Sequence, residues 1–589
     1  MSTAPPNLFS TVAAYMDAIL PADNAMKVLL VDEATLHIIS MVRSQTFLLS
    51  RGVFLVARVD NHSQRKCMGN MRCVVFIRPQ VLSVNAVCDE LRNPKYESYA
   101  IYFSAAAPSE LLDSLACADV RGVVRSVCEV FCDFVTLNAD AFVTAAPVPN
   151  VLLPGFMNSG SLKRVAEGIA STFVAHRRRP YVRYDQRSAF ARSLATVLND
   201  VLGENIELYD YKSKDTVLLI LDRNSDALTP LITPWTYQSM LNEHVGLQYN
   251  RLHFSAATSQ NNQEQKGSEE GEGEYVFSPN DDSFFAANMF ANWGDLCQNV
   301  KEFVDKCKST INIDRNTATM DEIKDYVQRI SHTKSMAGSV EKHATVVTHL
   351  SSEIKKRGLL ETSLLEQHMI VANDPTGHWN RLQDFVCQRN RGSGDGVATV
   401  TDIVRLCLIY HLKYEKPHQP SRVIEVLRGL GANYGDLLRK LRQYNGDRPT
   451  EELFGATGVI ATIVKSFVDS ENIYTQHEAV LKRTLLQLFS GRLPVEQYPY
   501  LGPSSPGNAG ASCFHQPQQP FTFKPKEVIV FMCGGYTYSE AAVINAINTG
   551  SAYTGSAASS LPQGPVHACI GGTGVLNSET FLSLLAAHA

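Results

Sequence analysis

No window of the 589-residue chain approaches the roughly 18 consecutive apolar residues that a membrane-crossing helix needs, so no segment is expected to span a bilayer. The longest apolar stretches, Val217–Leu221 and Val528–Met532, are strand-sized. The opening MSTAPPNLFSTVAAYMDAIL has no basic region leading into an unbroken apolar core and does not read as a signal peptide. The closing Ala-Ala-His-Ala lacks a lipidation box, so any membrane work depends on a partner that brings the protein there. Cys-x-x-Cys is also missing, and the spacings Cys67/Cys73 and Cys128/Cys132 suit neither zinc nor a redox pair. The 13 cysteines, an odd number, read as free thiols of a cytosolic protein. A basic excess is absent as well: the net charge of -5 argues against a dominant phosphate-binding surface and against nucleic acid as a partner. The local run His176-Arg177-Arg178-Arg179 is read as a solvated helix end.

Enzyme signatures are missing in the same way. No Gly-x-Gly-x-x-Gly follows the first strand, which runs instead into Asp32-Glu33-Ala34-Thr35, whose carboxylates would repel a phosphate. There is no phosphate-loop lysine motif and no His-Glu-x-x-His. Cys533-Gly534-Gly535 and Gly571-Gly572-Thr573-Gly574 lack the rest of a nucleophile elbow or phosphate loop, and tight strand–helix turns account for the glycines. No catalytic residue, metal site or cofactor is therefore expected.

What is present is ordinary for a globular protein of two or three domains: 44% hydrophobic and 19% charged residues. Lys27–Val31, Val53–Ala57, Cys73–Ile77 and Tyr99–Phe103 are continuous apolar runs, as expected where helices cover both faces of a parallel sheet. Val81–Leu91 has helix length between them. Val120–Phe134 places valines, cysteines and phenylalanines at three- and four-residue spacing and predicts a helix with one buried face. Ala141-Phe142-Val143 is expected to close this first α/β domain, residues 1–146. A second α/β domain, 147–249 and 491–589, is expected from a helix at Ser188–Leu202, strands Ile206–Tyr209 and Val217–Leu221, and strands Val528–Met532 and Val566–Ile570 far along the chain. The insertion between them, 250–490, is mostly helical: Phe284–Lys308, Met320–Ile330, Ser339–Arg357, Leu360–Ile370, Val400–Leu412 and Thr475–Leu488. Ser255–Glu274, Gln388–Gly396 and Leu501–Pro520 read as loops, the first acidic and too poor in apolar area to offset its ordering entropy.

One segment stands apart, LLILDRNSDALTPLITPWTYQSMLNEHVGL over Leu218–Leu247. It predicts a buried strand ending in Asp222-Arg223, a turn carrying Asp226, Thr229 and Pro230, and a helix opened by Trp235. Asp222, Arg223 and Asp226 are expected to form a charge-assisted network, and Trp235 and Tyr237 to plug a domain junction. The pattern Asp222, Arg223, Asp226, Thr229, Pro230, Leu231 followed by Trp235, Thr236, Tyr237, Gln238, Met240 resembles the hallmark of the Sec/Munc (SM) family. Phe284-Phe285 with Asn288 and Asn292–Leu296, Gly534–Glu540, and Gly571-Gly572-Thr573 with Asn577 and Phe581 continue the resemblance in order. Lys342-His343 with Val346, Val347, Leu350 and Ser351, then Leu365-Glu366-Gln367, looks most like the endosomal and trans-Golgi vacuolar-protein-sorting branch.

The resemblance implies an arch-shaped three-domain α/β protein, two parallel-sheet domains with a large helical insertion in the second. It implies a non-enzymatic regulator of vesicle docking and fusion, cytoplasmic and peripheral on Golgi and endosomal membranes. Its partners would be a syntaxin-type SNARE, assembling SNARE complexes and a small-GTPase effector. A syntaxin N-terminal peptide would enter a pocket of Leu112, Val124, Val127 and Glu129; Val124 and Val127 sit three apart on one face of the expected helix. SNARE helices would meet Arg43, Arg58 and Asp60 in a cleft. A helical hairpin would turn near Ile330–Gly338, where many members carry proline and this chain has Ser331-His332-Thr333; His244 stands where relatives often have an apolar residue. Another fusion step (Golgi, vacuole, plasma membrane) stays open as an alternative, and a nucleotide-dependent enzyme is the weaker one.

Overall fold

The computed structural model describes residues 7–23, 25–144, 159–176, 179–204, 206–208, 215–254, 273–311, 320–391, 395–415, 421–446, 448–454, 477–501, 524–552 and 565–587. In chain order the strands are β1 Lys27–Val31, β2 Val53–Arg58, β3 Met68–Ile77, β4 Tyr96–Phe103, β5 Val124–Glu129, β6 Phe134–Asn138, β7 Ala141–Thr144 and β8 Tyr181–Tyr184. They continue as β9 Thr216–Asp222, β10 Arg251–Phe254, β11 Gly273–Val276, β12 Tyr500–Leu501, β13 Glu527–Cys533, β14 Tyr536–Thr537, β15 His567–Gly572 and β16 Val575–Leu576. The chain divides into two compact units. The first comprises residues 1–223, 483–536 and 543–575, and the second 224–482, 537–542 and 576–589.

The first unit contains two sheets. In the five-stranded sheet the order is β2-β1-β3-β4-β5, every pairing parallel. Its apolar runs are buried because helices cover it: Val28, Leu30, Val75, Ile77, Ile101 and Phe103 pack with Val84, Val87 and Leu91 of the helix Val81–Arg92. Asp32-Glu33 after β1 is a helix start. The Asp32 carboxylate accepts the Thr35 backbone N–H at 2.9 Å in a capping box, and it also accepts from Arg78 N–H and Ser83 Oγ at 2.8 Å each.

The seven-stranded sheet runs β12-β8-β9-β13-β15-β7-β6. β9 and β13 are adjacent and parallel, Val217 beside Val528 and Leu221 beside Met532, although some 300 residues separate them. Gly571 on β15 is glycine because the Phe142 ring lies over it; an added Cβ would come within 2.1 Å of that ring. Gly534 and Gly535, just after β13, have φ of 90° and 89°, the left-handed region a glycine tolerates.

The second unit holds the β10–β11 antiparallel hairpin and a helical core. Its centre is the helix Val400–Tyr414, in which every residue from Asp402 to His411 is buried. Leu365, Met369, Leu406, Ile409, Phe581 and Leu585 belong to one apolar cluster with Leu228 and Leu231 of the motif segment. Gly358 (φ 58°) joins the helices Met320–Arg357 and Leu359–Val371, with the Gly396 carbonyl oxygen 2.6 Å from where a Cβ would stand. No helix among the described residues is long and apolar enough to cross a membrane.

Several local expectations are corrected. Val120–Phe134 is not a helix: its centre is β5, paired in parallel with β4 from Tyr99–Val124 to Phe103–Glu129. Valines at one-, three- and four-residue spacing fit a helix face, but β-branched side chains also suit a strand, and β4 supplies the ladder. Ala141-Phe142-Val143 does not close the first sheet. Together with β6 it joins the second, beside β15, with Ile570 opposite Ala141. Ile206–Leu208 is a 3-10 turn rather than a strand, and Tyr209 lies outside the described residues. Phe284–Lys308 is two helices, Ser283–Asn288 and Trp293–Ile311. Met320–Ile330 and Ser339–Arg357 are one helix of 38 residues, so the backbone passes Ile330–Gly338 without a turn. Without a proline in that stretch nothing removes a rung of its hydrogen-bond ladder. The helix expected over Thr475–Leu488 is observed from Val480 to Phe489, and residues 475–476 lie outside the described ones. Gln388–Arg391 still belongs to the helix Pro375–Arg391, and Gly273-Glu274 to β11; the remaining acidic insert (255–272) and residues 502–520 lie outside the described residues.

Candidate functional site

The residues expected to form a peptide pocket gather around the edge strand β5. Side chains alternate across a strand, but β5 carries a register irregularity: Val124 stands opposite Tyr99 and Ser126 opposite Ala100, so Arg125 is an extra residue and Val127, opposite Ile101, returns to the face of Val124. Val124 is half-buried and packs, like Leu112 of the helix Ser109–Ala118, against the core of the five-stranded sheet. Val127 is 44% exposed, and Glu129 follows it on the same face, its carboxylate accepting the Ala107 N–H at 2.7 Å. Of the four residues, Leu112 and Val124 pack on the core, whereas Val127 and Glu129 are exposed further along the strand. Asp119 accepts the Val123 and Val124 N–H groups at 2.8 and 3.0 Å and fixes where the strand begins.

Arg58 and Asp60, at the end of the opposite edge strand β2, form a bidentate pair at 3.1 and 2.7 Å, with Glu33 at 3.6 Å from the same guanidinium. The Arg58 hydrogen bonds hold the Asp60 carboxyl below its ordinary range. Arg43 is engaged inside the fold. Its guanidinium donates to the Ala13 carbonyl at 2.9 Å, pairs with Asp17 at 2.7 Å and lies 4.2 Å above the Phe47 ring. Sequence reasoning passed over the apolar side chains nearby: Leu49, Phe54 and Val56 are exposed. The missed signal was positional, because Phe54 and Val56 alternate on a strand that only the sheet order reveals as an edge.

The hallmark segment, by contrast, is interior. Arg223, Asp226, Thr229, Pro230, Trp235 and Tyr237 are buried and Asp222 nearly so. In the first unit Asp222 accepts from Ser188 Oγ at 2.5 Å, and Arg223 is fully buried at the end of β9. In the second unit Asp226 closes the turn. It accepts the Leu228 and Thr229 N–H groups at 3.1 and 2.9 Å, the Thr229 hydroxyl at 2.5 Å and the Val480 N–H at 3.2 Å. Trp235 Nε1 donates to Ser363 Oγ at 2.8 Å. Tyr237 Oη is 2.8 Å from His343 Nδ1, inside a nest of Phe277 and Phe285 rings. His343 Nε2 in turn lies 2.9 Å from Asp282, which Lys342 also contacts.

A second anchor was not foreseen. Fully buried Arg405 donates to the Leu231 carbonyl at 2.8 Å, to Thr233 Oγ1 at 2.7 Å and to Glu366 at 2.9 Å. Glu366 also accepts Thr233 N–H and hydroxyl at 2.8 and 3.0 Å. Charge-assisted bonds therefore tie the Leu231–Thr233 turn to two helices of the core.

This buried polar interior makes the second unit acid-sensitive. Burial first, then the neighbouring Arg357 and Arg405, push His244 down to about 3. Burial also lowers His343, against the pull of Asp282. In the unfolded chain these imidazoles take a proton near 6.5. The unfolded state therefore binds more protons below that pH, and stability present above about 6.5 is lost as pH falls towards 3. The melting temperature should fall between about pH 7 and pH 5, followed by circular dichroism. His244→Leu, which leaves Arg357 its bond to Asp402 at 2.6 Å, should flatten the profile; an unaltered profile would contradict this origin.

The sequence profile of the Sec1 family matches residues 27–584. The vacuolar protein sorting-associated protein 45 of Rattus norvegicus is 31% identical to this chain over 98% of it and 95% of the relative. Its Dictyostelium discoideum counterpart is 29% identical over 99% and 97%. Among solved structures, one described as the SM protein Vps45 in complex with the Qa SNARE Tlg2 superposes with a TM-score of 0.82 at 31% identity, covering 98% of each chain. The Unc18–syntaxin 1 complex from Monosiga brevicollis shares the fold, with a TM-score of 0.75 at 17% identity over 98% and 99% of the two chains. The parallel sheets, the buried hallmark turn and the helical core thus fall within a single match that runs nearly end to end, and the chain belongs to the Sec1 family of SM proteins.

Proposed function

We propose that this protein is a SNARE-binding regulator of vesicle docking and fusion in endosomal and trans-Golgi traffic, and that it performs no catalysis of its own. The observation that carries the reading is the end-to-end match to an SM protein solved in complex with a Qa SNARE. The absence of a membrane-crossing helix among the described residues fits a protein recruited to Golgi and endosomal membranes by its SNARE partner. Three functional domains, 1–146, 147–249 with 491–589, and the helical 250–490, are a working division. The helical content of residues 283–445 supports its last part.

Two surfaces of the first unit are assigned to the partner. The N-terminal peptide of a syntaxin-type SNARE docks along β5, with Val127 and Glu129 facing it and Leu112 and Val124 supporting the strand from within. SNARE helices engage the β2 edge through Arg58 and Asp60. Arg43, already bonded inside the fold, positions that surface, and a small-GTPase effector binds elsewhere.

The test is Val127→Arg. Val127 is exposed, so the variant should melt like the wild type. Docking an apolar anchor against the new charge requires its desolvation, and one anchor dominates a small interface. Affinity for a Qa SNARE N-terminal peptide should therefore drop at least about tenfold, roughly 1.4 kcal/mol, by calorimetry. Unchanged affinity rejects the β5 assignment, and unchanged capture of the helical SNARE region is expected because β2 is a separate edge.

A further inference from the structure

Three donor groups of different chemistry converge at one end of the seven-stranded sheet. His567 and Cys569 are two residues apart on β15 and so share a face. Ile570 is in register with Ala141, and the Ile570 N–H donates to the Asp140 carbonyl at 2.8 Å. That register sets Asp140, in the β6–β7 turn, beside Cys569. The Asp140 carboxylate is 2.9 Å from His567 Nε2 and 4.0 Å from Cys569 Sγ, and the same sulphur is 3.9 Å from His567 Nδ1. Among the described residues this is the one group of three such side chains whose ligand atoms all lie within 4.8 Å of one another.

We propose that Asp140, His567 and Cys569 form a binding site for a divalent transition-metal ion of the zinc class. One oxygen, one nitrogen and one sulphur are a donor set that a borderline-soft ion accepts and that magnesium or calcium does not. Donor–donor edges around a tetrahedral zinc are about 3.3–3.6 Å, from metal–ligand distances of about 2.0–2.3 Å. Asp140 meets Nε2 of His567 and Cys569 lies near Nδ1, and an ion takes only one of the two nitrogens, so the partly exposed His567 ring would have to turn to seat it. The site is partly open to solvent, the Asp140 and His567 side chains being 28% and 18% exposed.

The surroundings hold the first ligand in place. Asn548 donates to the second oxygen of Asp140 at 3.0 Å, while its own Oδ1 accepts the Ala568 N–H at 2.7 Å. It therefore locks the carboxylate to β15, as outer-shell partners do in metal sites. On metal binding the Cys569 S–H proton leaves to solvent and the thiolate bonds the metal, while neutral His567 keeps its single proton on the nitrogen that does not ligate. The ion would pin the β6–β7 turn to β15, two segments that are 427 residues apart. Local cysteine spacing could not reveal such a site.

The test uses the full chain, reduced and stripped with a chelator, titrated with Co2+ alone. One equivalent should give a thiolate-to-cobalt absorption band that Zn2+ then displaces. Cys569→Ser should abolish the band, and His567→Ala should weaken binding at least about tenfold. Wild type should melt higher with Zn2+, the His567→Ala variant not. No band in the wild type overturns the proposal. So does a band that survives in Cys569→Ser, which would place the metal on exposed thiols such as Cys67 or Cys297. Should Cys569→Ser fail to fold, the partly exposed His567→Ala and Asp140→Asn decide, and unaltered affinity in both overturns it.

Discussion

Arg405→Ala is expected to destabilise the second unit by about 3–5 kcal/mol, the cost of removing one partner from a buried charge pair. The guanidinium is fully enclosed, with Glu366 at 2.9 Å, Asp402 at 3.5 Å and Glu243 at 3.7 Å. Alanine would leave Glu366 buried with only the Thr233 groups to bond, and would orphan the Leu231 carbonyl. Urea denaturation should show a lower midpoint with an unchanged slope. Replacing the pair together, Arg405→Met with Glu366→Leu, should recover part of the loss, because apolar groups of similar volume remove the uncompensated charge. A double variant less stable than Arg405→Ala would count against this explanation.

Arg223→Ala is expected to cost about 2–4 kcal/mol, from an emptied polar site at the end of a buried strand. Arg223 is among the largest fully buried side chains, on the strand end next to Asp222. The effect should appear as a lower melting temperature, with binding of a Qa SNARE preserved in the fraction that remains folded. A variant that melts normally but no longer captures the SNARE would make the hallmark segment a contact surface instead of a structural one.

How far the fold could be read in advance depended on where each segment finds its partners. β1, β9 and β13 were legible because a strand buried on both faces has to be apolar throughout: all five residues of β1, six of seven in β9 and all seven of β13 are buried. β5 was not. Its pattern of two half-buried residues, Val124 and Ser126, among exposed ones belongs to an edge, and Val124-Arg-Ser-Val-Cys-Glu129 carries no decisive period of its own. The helical spacing of its valines coincided with a strand whose one ladder partner is β4.

The candidate surfaces divide similarly. The hallmark residues were recognisable as a string, and their burial agrees with a structural role. The exposure of Val127, the extra residue in β5 that keeps it on the face of Val124, and the apolar neighbours Phe54 and Val56 depended on which strands end up at edges. Arg405 could not be paired with Glu366 by reading along the chain, since 39 residues separate them and the Thr233 contact is 172 residues away.

The amino-acid sequence by itself determined that this is an α/β protein with a helical insertion and that its hallmark turn belongs to the SM family. Composition, apolar run length and a fixed string of residues are local properties of the chain. Only the tertiary structure decided that β6 and β7 leave the first sheet for the second, that β2 and β5 are the open edges, and that Asp140 meets His567 and Cys569. Those outcomes are set by hydrogen-bond ladders and packing between segments that lie tens to hundreds of residues apart, and no local period encodes the choice of partner.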